Sequence, residues 1–289
     1  MDNYEPNYAE TSDSLIMGTL ANQFSIKDKV IVITGGEGIL GSTLAKLFAN
    51  EGAKLAILGL NSERGNEIVD KIRSDGGSAS FIHADVLDRS SLESALSDIE
   101  KHFGIPEILI NAAGGNMAGA TIAPDKTIFD LDIDDFKAVN ALNLDGTVIP
   151  SIVFGKKIAQ SGKGVIINFS SMAASRPLTR IVGYSAAKAG VENFTRWMAV
   201  EMAKKFGDKI RVNAIAPGFL VTDQNKDLLL NTDGSLTDRG NDIIRQTPFG
   251  RFGQPEEIVG TLLWLCSDAS SFVTGTVIPV DGGFSAFSI

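Results

Sequence analysis

Cysteine is almost absent from this chain. Cys266 is the only one in 289 residues, so no internal disulfide can form, which suits a reducing, cytoplasmic setting. It falls in the helical pattern Val259-Leu262-Leu263-Leu265 and is expected in the core. Long apolar runs are missing as well: no stretch reaches eighteen apolar residues, so no membrane span is expected. Basic charge is in deficit, with 26 Lys and Arg against 35 Asp and Glu and a net charge of −9. Without a basic stripe, nucleic acid is not an expected partner. Residues 1–23 carry acids at Asp2, Glu5, Glu10 and Asp13 and no basic leader, so they read as a loose arm suited to packing on a neighbouring subunit rather than as a signal peptide. No Pro/Ser-rich linker, repeat or charge block divides the remainder, and residues 24–289 read as one domain. No metal is expected.

What the chain does have is a regular alternation. Strand-like segments recur at 29–34, 54–60, 78–84, 107–111, 164–170, 209–216 and 275–280, with helical patterns between them. This predicts an α/β fold in one domain, a doubly wound seven-stranded parallel sheet with helices on both faces. The first run, Lys29 to Thr34, leads directly into Gly35, Gly36, Gly38 and Gly41, and the helical pattern Leu40-Ala45-Leu47-Phe48 follows. Glycines at such a strand-to-helix turn let backbone approach a pyrophosphate, which then rests on the helix N-terminus. A tight turn with no ligand would use the same residues.

Two later strands end in chemistry. Ile108 to Gly114 closes in Asn111-Ala112-Ala113-Gly114, which reads either as a plain strand end with its loop or as a wall of small residues with room for ribose and nicotinamide. Val165 to Ser171 ends in paired hydroxyls, thirteen residues before Tyr184. In Tyr184-Ser185-Ala186-Ala187-Lys188 a phenol and an ammonium share one helix face. An ammonium that close favours the phenolate and is expected to lower the tyrosine pKa from about 10. Such a tyrosine can pass a proton to or from a substrate oxygen.

These motifs, with Asn143 and the pair Pro217-Gly218 followed by Thr222, resemble the short-chain dehydrogenase/reductase family from about Phe24 to the C-terminus. The resemblance implies a single-domain Rossmann fold and a nicotinamide cofactor. Tyr184 would then be the general acid/base, and Lys188 would also hold the nicotinamide ribose hydroxyls. Ser171 would bond the substrate oxygen and Asn143 would hold a proton-relay water. The implied cofactor-binding set is Gly35, Glu37, Gly38, Ile39, Leu40, Gly41, Asn61, Asp85, Val86, Asn111, Ala112, Ala113, Gly114, Tyr184, Lys188, Pro217, Gly218 and Thr222, with Asp85 on adenine. One departure is Ile39, where a glycine is common. That spacing is more usual in the longer, nucleotide-sugar members, but only 71 residues follow Gly218, too few for their substrate domain.

The second strand ends Gly59-Leu60-Asn61, without the acid NAD enzymes place there or the arginine common in NADP enzymes. Glu37 should repel a 2′-phosphate whereas Arg64 could attract one. NAD is the expected cofactor, with NADP as the alternative. For a small-molecule substrate, Arg176 and Arg180 lie between Ser171 and Tyr184 and could clamp a carboxylate, and Asn116 could meet hydroxyls. Residues 223–250 read as a flexible substrate lid. The wording of Arg176-Pro-Leu-Thr-Arg180, Pro217 to Asn225 and Asp281-Gly-Gly-Phe-Ser resembles the sugar-acid branch of the family, nearest to D-mannonate oxidoreductases. A reductase of another carbonyl (an acyl thioester, a steroid, a deoxy-ketouronate) keeps the same chemistry, and a non-catalytic dinucleotide sensor keeps only the turn. The family resemblance and the apolar helix residues Val191, Phe194, Trp197, Met198 and Met202 imply a homotetramer.

Overall fold

A computed structural model describes residues 20–222 and 226–288. The expected arm therefore lies outside the described residues, apart from a short helix α1 (Leu20–Gln23) at its end. Beyond it, strands and helices alternate: β1 (Val30–Thr34), α2 (Ile39–Asn50), β2 (Lys54–Gly59), α3 (Ser62–Ser74), β3 (Ser78–His83), α4 (Arg89–His102) and β4 (Ile108–Asn111) form the first half. The second half runs α5 (Ile133–Asn140), α6 (Gly146–Ser161), β5 (Gly164–Phe169), α7 (Val182–Phe206), β6 (Ile210–Pro217), α8 (Lys226–Leu229), α9 (Asp238–Arg245), α10 (Val259–Cys266) and β7 (Val277–Val280). All seven strands lie within two residues of their expected limits, and β1, β4 and β6 are buried almost throughout, as apolar parallel strands covered on both faces are.

The seven strands form one sheet in the order β3-β2-β1-β4-β5-β6-β7, every pair parallel. Strand side chains alternate between faces, and the core divides accordingly. Ile31, Ile33, Ile57, Ile110 and Ile167 pack with α2, α3 and α10 on one side, whereas Val32, Leu58, Leu109, Ile166 and Val212 pack with α4, α6 and α7 on the other. Cys266 is in the first layer, as expected, and burial pushes its thiol up to about 12. The strand order reverses direction between β1 and β4, where an open α/β sheet leaves a crevice at the carboxyl ends of its strands.

Residues 226–250 differ from the loop the sequence suggested. They fold as α8 and α9, bridged between Leu230 and Leu236, around a small core of Leu229, Ile243 and Phe252. An eight-residue helix with few apolar positions has too short a periodicity to stand out in sequence.

Candidate active site

A cavity of about 700 Å³ opens over the carboxyl ends of β1, β2, β4, β5 and β6. Its floor is the turn after β1. Gly35 has φ of +61°, and an added Cβ there would lie 2.7 Å from Ala113 Cα; one at Gly41 would lie 2.5 Å from Gly35 O. Only glycine fits these approaches. Ala113 N–H donates to Thr34 Oγ1 at 3.2 Å, tying the turn to β4. The N-cap of α2 is Gly38, with no side chain bonding the first helical N–H groups, so this end can hold an anion.

Of the expected cofactor set, all but one line the cavity: Gly35, Glu37, Gly38, Ile39, Leu40, Gly41, Asn61, Asp85, Val86, Ala112, Ala113, Gly114, Tyr184, Lys188, Pro217, Gly218 and Thr222. Asn111 corrects that reading. It is buried beneath the wall, its amide donating to Ser151 Oγ at 2.8 Å and Asn168 Oδ1 at 2.9 Å, and it fastens β4 to β5 and α6. The size of such a network shows only in three dimensions.

Ser171, Tyr184 and Lys188 converge on the opposite wall. Ser171 accepts from Ala173 N–H at 3.2 Å and is hydrogen-bonded to Tyr184. Lys188 is 3% exposed, its Nζ donates to Phe169 O at 2.8 Å, and it lies 5.6 Å from the Tyr184 ring centroid. The expected lowering of the Tyr184 pKa by Lys188 does not appear. Desolvation pushes the phenol up, and the Ser171 bond partly opposes it. Lys188 is itself pushed down to about 8 by burial. Ammonium and phenol share one dry corner, where burial disfavours the charged form of each.

Asn143 lies wholly buried beside this corner. It sits in a π-helical turn, Ala141–Asp145, between α5 and α6. Its Nδ2 donates to Gly115 O at 2.7 Å and Val139 O at 2.8 Å, and its Oδ1 accepts from Gly115 N–H at 3.0 Å. These bonds clamp the loop after β4, and Oδ1 keeps a second lone pair as an acceptor. The cavity lining does not include Asn116, Arg176 or Arg180. Asn116 donates to Thr121 Oγ1 at 2.6 Å. Arg176 donates to the carbonyls of Ser285 and Phe287, both at 2.5 Å, and Arg180 to Ile122 O at 2.7 Å. The arginine pair therefore straps segments together instead of facing the cavity. Missed from sequence were the apolar walls Leu142, Met172, Leu178, Ile181 and Phe219. Nothing in their local patterns distinguishes them from core.

A glycine turn feeding a helix N-terminus, with Ser, Tyr and Lys facing it across one crevice, defines a dinucleotide-dependent oxidoreductase site of the Rossmann class. A family model described as enoyl-(acyl carrier protein) reductase matches residues 37–285. The chain belongs to the short-chain dehydrogenase/reductase family. It is 47% identical over 273 residues to the uncharacterized oxidoreductase UxuB of Bacillus subtilis, covering 91% of this chain and 97% of that one. A crystal structure from Haemophilus influenzae with bound NAD, provisionally described as a D-mannonate oxidoreductase, is 44% identical; it covers 93% of this chain and 99% of its own, with a TM-score of 0.86. A gluconate 5-dehydrogenase from Burkholderia cenocepacia in complex with NADP and tartrate matches at 29% identity, 92% and 99% coverage and a TM-score of 0.83. Among the described residues no helix is long and apolar enough to cross a membrane, and no cluster of His, Cys, Asp or Glu could hold a metal ion.

Proposed function

We propose that this oxidoreductase uses NAD to interconvert a secondary alcohol and a ketone, and that its substrate is a sugar acid of the D-mannonate/D-fructuronate type. The reaction class rests on the convergence of Ser171, Tyr184 and Lys188 on one wall, facing the glycine turn. The substrate class rests on likeness to the Haemophilus protein, and the cofactor on the NAD bound there.

The residues present fit a dinucleotide. Gly35, Gly38 and Gly41 leave a cradle that side chains would fill, and the uncapped start of α2 suits a pyrophosphate. Ala112, Ala113, Gly114, Pro217, Gly218 and Thr222 would flank the nicotinamide half, and Asp85 with Val86 the adenine. When bound, the nicotinamide supplies or accepts the hydride at the substrate carbon. As that carbon changes, charge develops on its oxygen. Tyr184 gives its phenolic proton to that oxygen in reduction and takes it back in oxidation. Its raised pKa keeps the proton in place until the oxygen demands it. Ser171 steadies the same oxygen with a hydrogen bond. Lys188, with Nζ on Phe169 O, is positioned to hold ribose hydroxyls and to stabilise a phenolate as it forms. Asn143 positions this corner through Gly115.

A second reading has its own support. Met172, Leu178, Ile181 and Phe219 make the substrate end of the cavity apolar, which favours a less polar carbonyl. Loss of nicotinamide absorbance, with NADH and then NADPH, against keto-uronates and neutral ketones separates the two. Oxidation of NADH by D-fructuronate is expected. Activity confined to neutral ketones would remove the sugar-acid assignment and leave the reaction class.

The apolar residues Trp197 and Val200 of α7, 61% and 55% exposed, with Ile152 of α6, supply surface for self-association, and a homotetramer is part of this proposal.

A further inference from the structure

The end of β2 carries no acid, yet a carboxylate stands there. A Cβ built on Gly59 would overlap the Glu37 carboxyl group, so Glu37, reaching from the glycine turn, fills the space a side chain at the end of β2 would take. It is fixed in place: Oε1 accepts from Leu60 N–H at 2.9 Å. Its second oxygen, Oε2, is buried and has no hydrogen-bond partner among the described residues. Buried carboxylate oxygens are costly to leave unpaired, and this one borders the cavity wall formed by Gly59, Leu60 and Asn61. No described residue supplies the missing donor.

We propose that Glu37 selects the adenosine ribose. Its carboxylate accepts the hydrogen bonds of a vicinal diol, and Gly59 is the residue that makes room for it. This rests on the dinucleotide reading of the cavity and adds which end of the cofactor is discriminated, and by what. A diol offers two O–H donors to a group that only accepts. A 2′-phosphate would bring negative charge against the same carboxylate, which is disfavoured in a partly buried place. The competing group is Arg64, on the same wall but exposed, in the first turn of α3, whose N-cap is Asn61. Asn61 Oδ1 accepts from Arg64 N–H at 3.0 Å and so caps α3, and unlike Glu37 it carries no charge to set against a 2′-phosphate.

The test is equilibrium titration of the full chain with NADH and NADPH, read by nucleotide fluorescence and calorimetry. The wild type is expected to bind NADH at least about tenfold more tightly than NADPH. Glu37→Gln keeps an acceptor for Leu60 N–H but loses the charge. Glu37→Ser removes both. Each is expected to weaken NADH, by about 10- to 100-fold for the serine, and to narrow or reverse the preference. Gly59→Asp alone should weaken both nucleotides, because the new side chain meets Glu37. The double variant Glu37→Ser/Gly59→Asp should recover NADH affinity to within about threefold of wild type, since the acid then comes from β2. A wild type that binds neither nucleotide would overturn the underlying dinucleotide reading. A wild type that binds NADH while Glu37→Ser binds it equally well would overturn this proposal alone, as would a double variant no tighter than Glu37→Ser.

Discussion

The two walls of the cavity are held by different means. The β1–β4 side is set by backbone. Its turns approach so closely that only glycine or alanine fits, and its geometry follows from strand ends joined in register. The opposite side is assembled from segments far apart in the chain. Arg180 reaches back to Ile122, Arg239 of α9 donates to Thr179 at 2.9 Å, and Arg176 holds the C-terminal tail at Ser285 and Phe287. Phe284 of that tail packs edge-on to Phe219, with centroids 5.2 Å apart. The close-packed turns sit on strand ends, whereas Tyr184 and Lys188 sit on helix α7 among loops that side-chain straps hold in place.

Four substitutions sharpen or break this contrast. The largest effect is expected from Gly35→Val, which combines a left-handed φ with a collision against Ala113 backbone. It should cost about 3 kcal/mol or more in urea unfolding and abolish NADH binding. A variant that folds and binds normally would mean the turn is not rigid. Next is Lys188. Its pKa of about 8 lies below the ordinary 10.5, so the unfolded chain binds more protons between those values and stability contributed by this group rises with pH across that window. Relative to Lys188→Met, the wild type should therefore gain on the order of 3 kcal/mol from pH 7 to pH 10.5. The raised thiol pKa of Cys266 acts in the opposite sense above pH 9 in both proteins, so it cancels in the difference. A flat difference would show that Lys188 is solvated in solution.

Asn143→Ala leaves Gly115 N–H and two carbonyls without their partner and should cost about 2 kcal/mol in chemical denaturation, with weaker NADH binding as the loop after β4 loosens. The smallest effect is expected across the cavity. Arg176→Ala should lower stability by about 1 kcal/mol through the freed tail, while KM for a sugar-acid substrate moves less than about threefold. A rise in KM of about 30-fold or more, with stability unchanged, would mean that Arg176 leaves the tail to meet a carboxylate, and the substrate side would then be as legible as the other.

The sheet was readable because its strands are long apolar runs whose limits fall at glycines and polar turns. Tyr184 and Lys188 were readable because a four-residue spacing on a helix places both groups on one face wherever the helix goes. Side-chain direction was not readable. Asn111 and Asn143 occupy motif positions, but which carbonyls and hydroxyls surround them depends on α6 and on the loop at Gly115. Arg176 looked free because its acceptors lie more than a hundred residues later in the chain. The opposing influences on Tyr184 were likewise hidden: spacing reveals that an ammonium is near, but not how much water the fold removes.

Tyr184 carries the central claim, and the most direct measurement compares Tyr184→Phe with wild type in two ways, NADH titration and turnover of the best carbonyl substrate. The phenyl ring keeps the packing and loses only the hydroxyl. NADH affinity should stay within about twofold, while turnover falls about 100- to 10,000-fold. Turnover within tenfold of wild type would contradict the assignment of the proton to this residue.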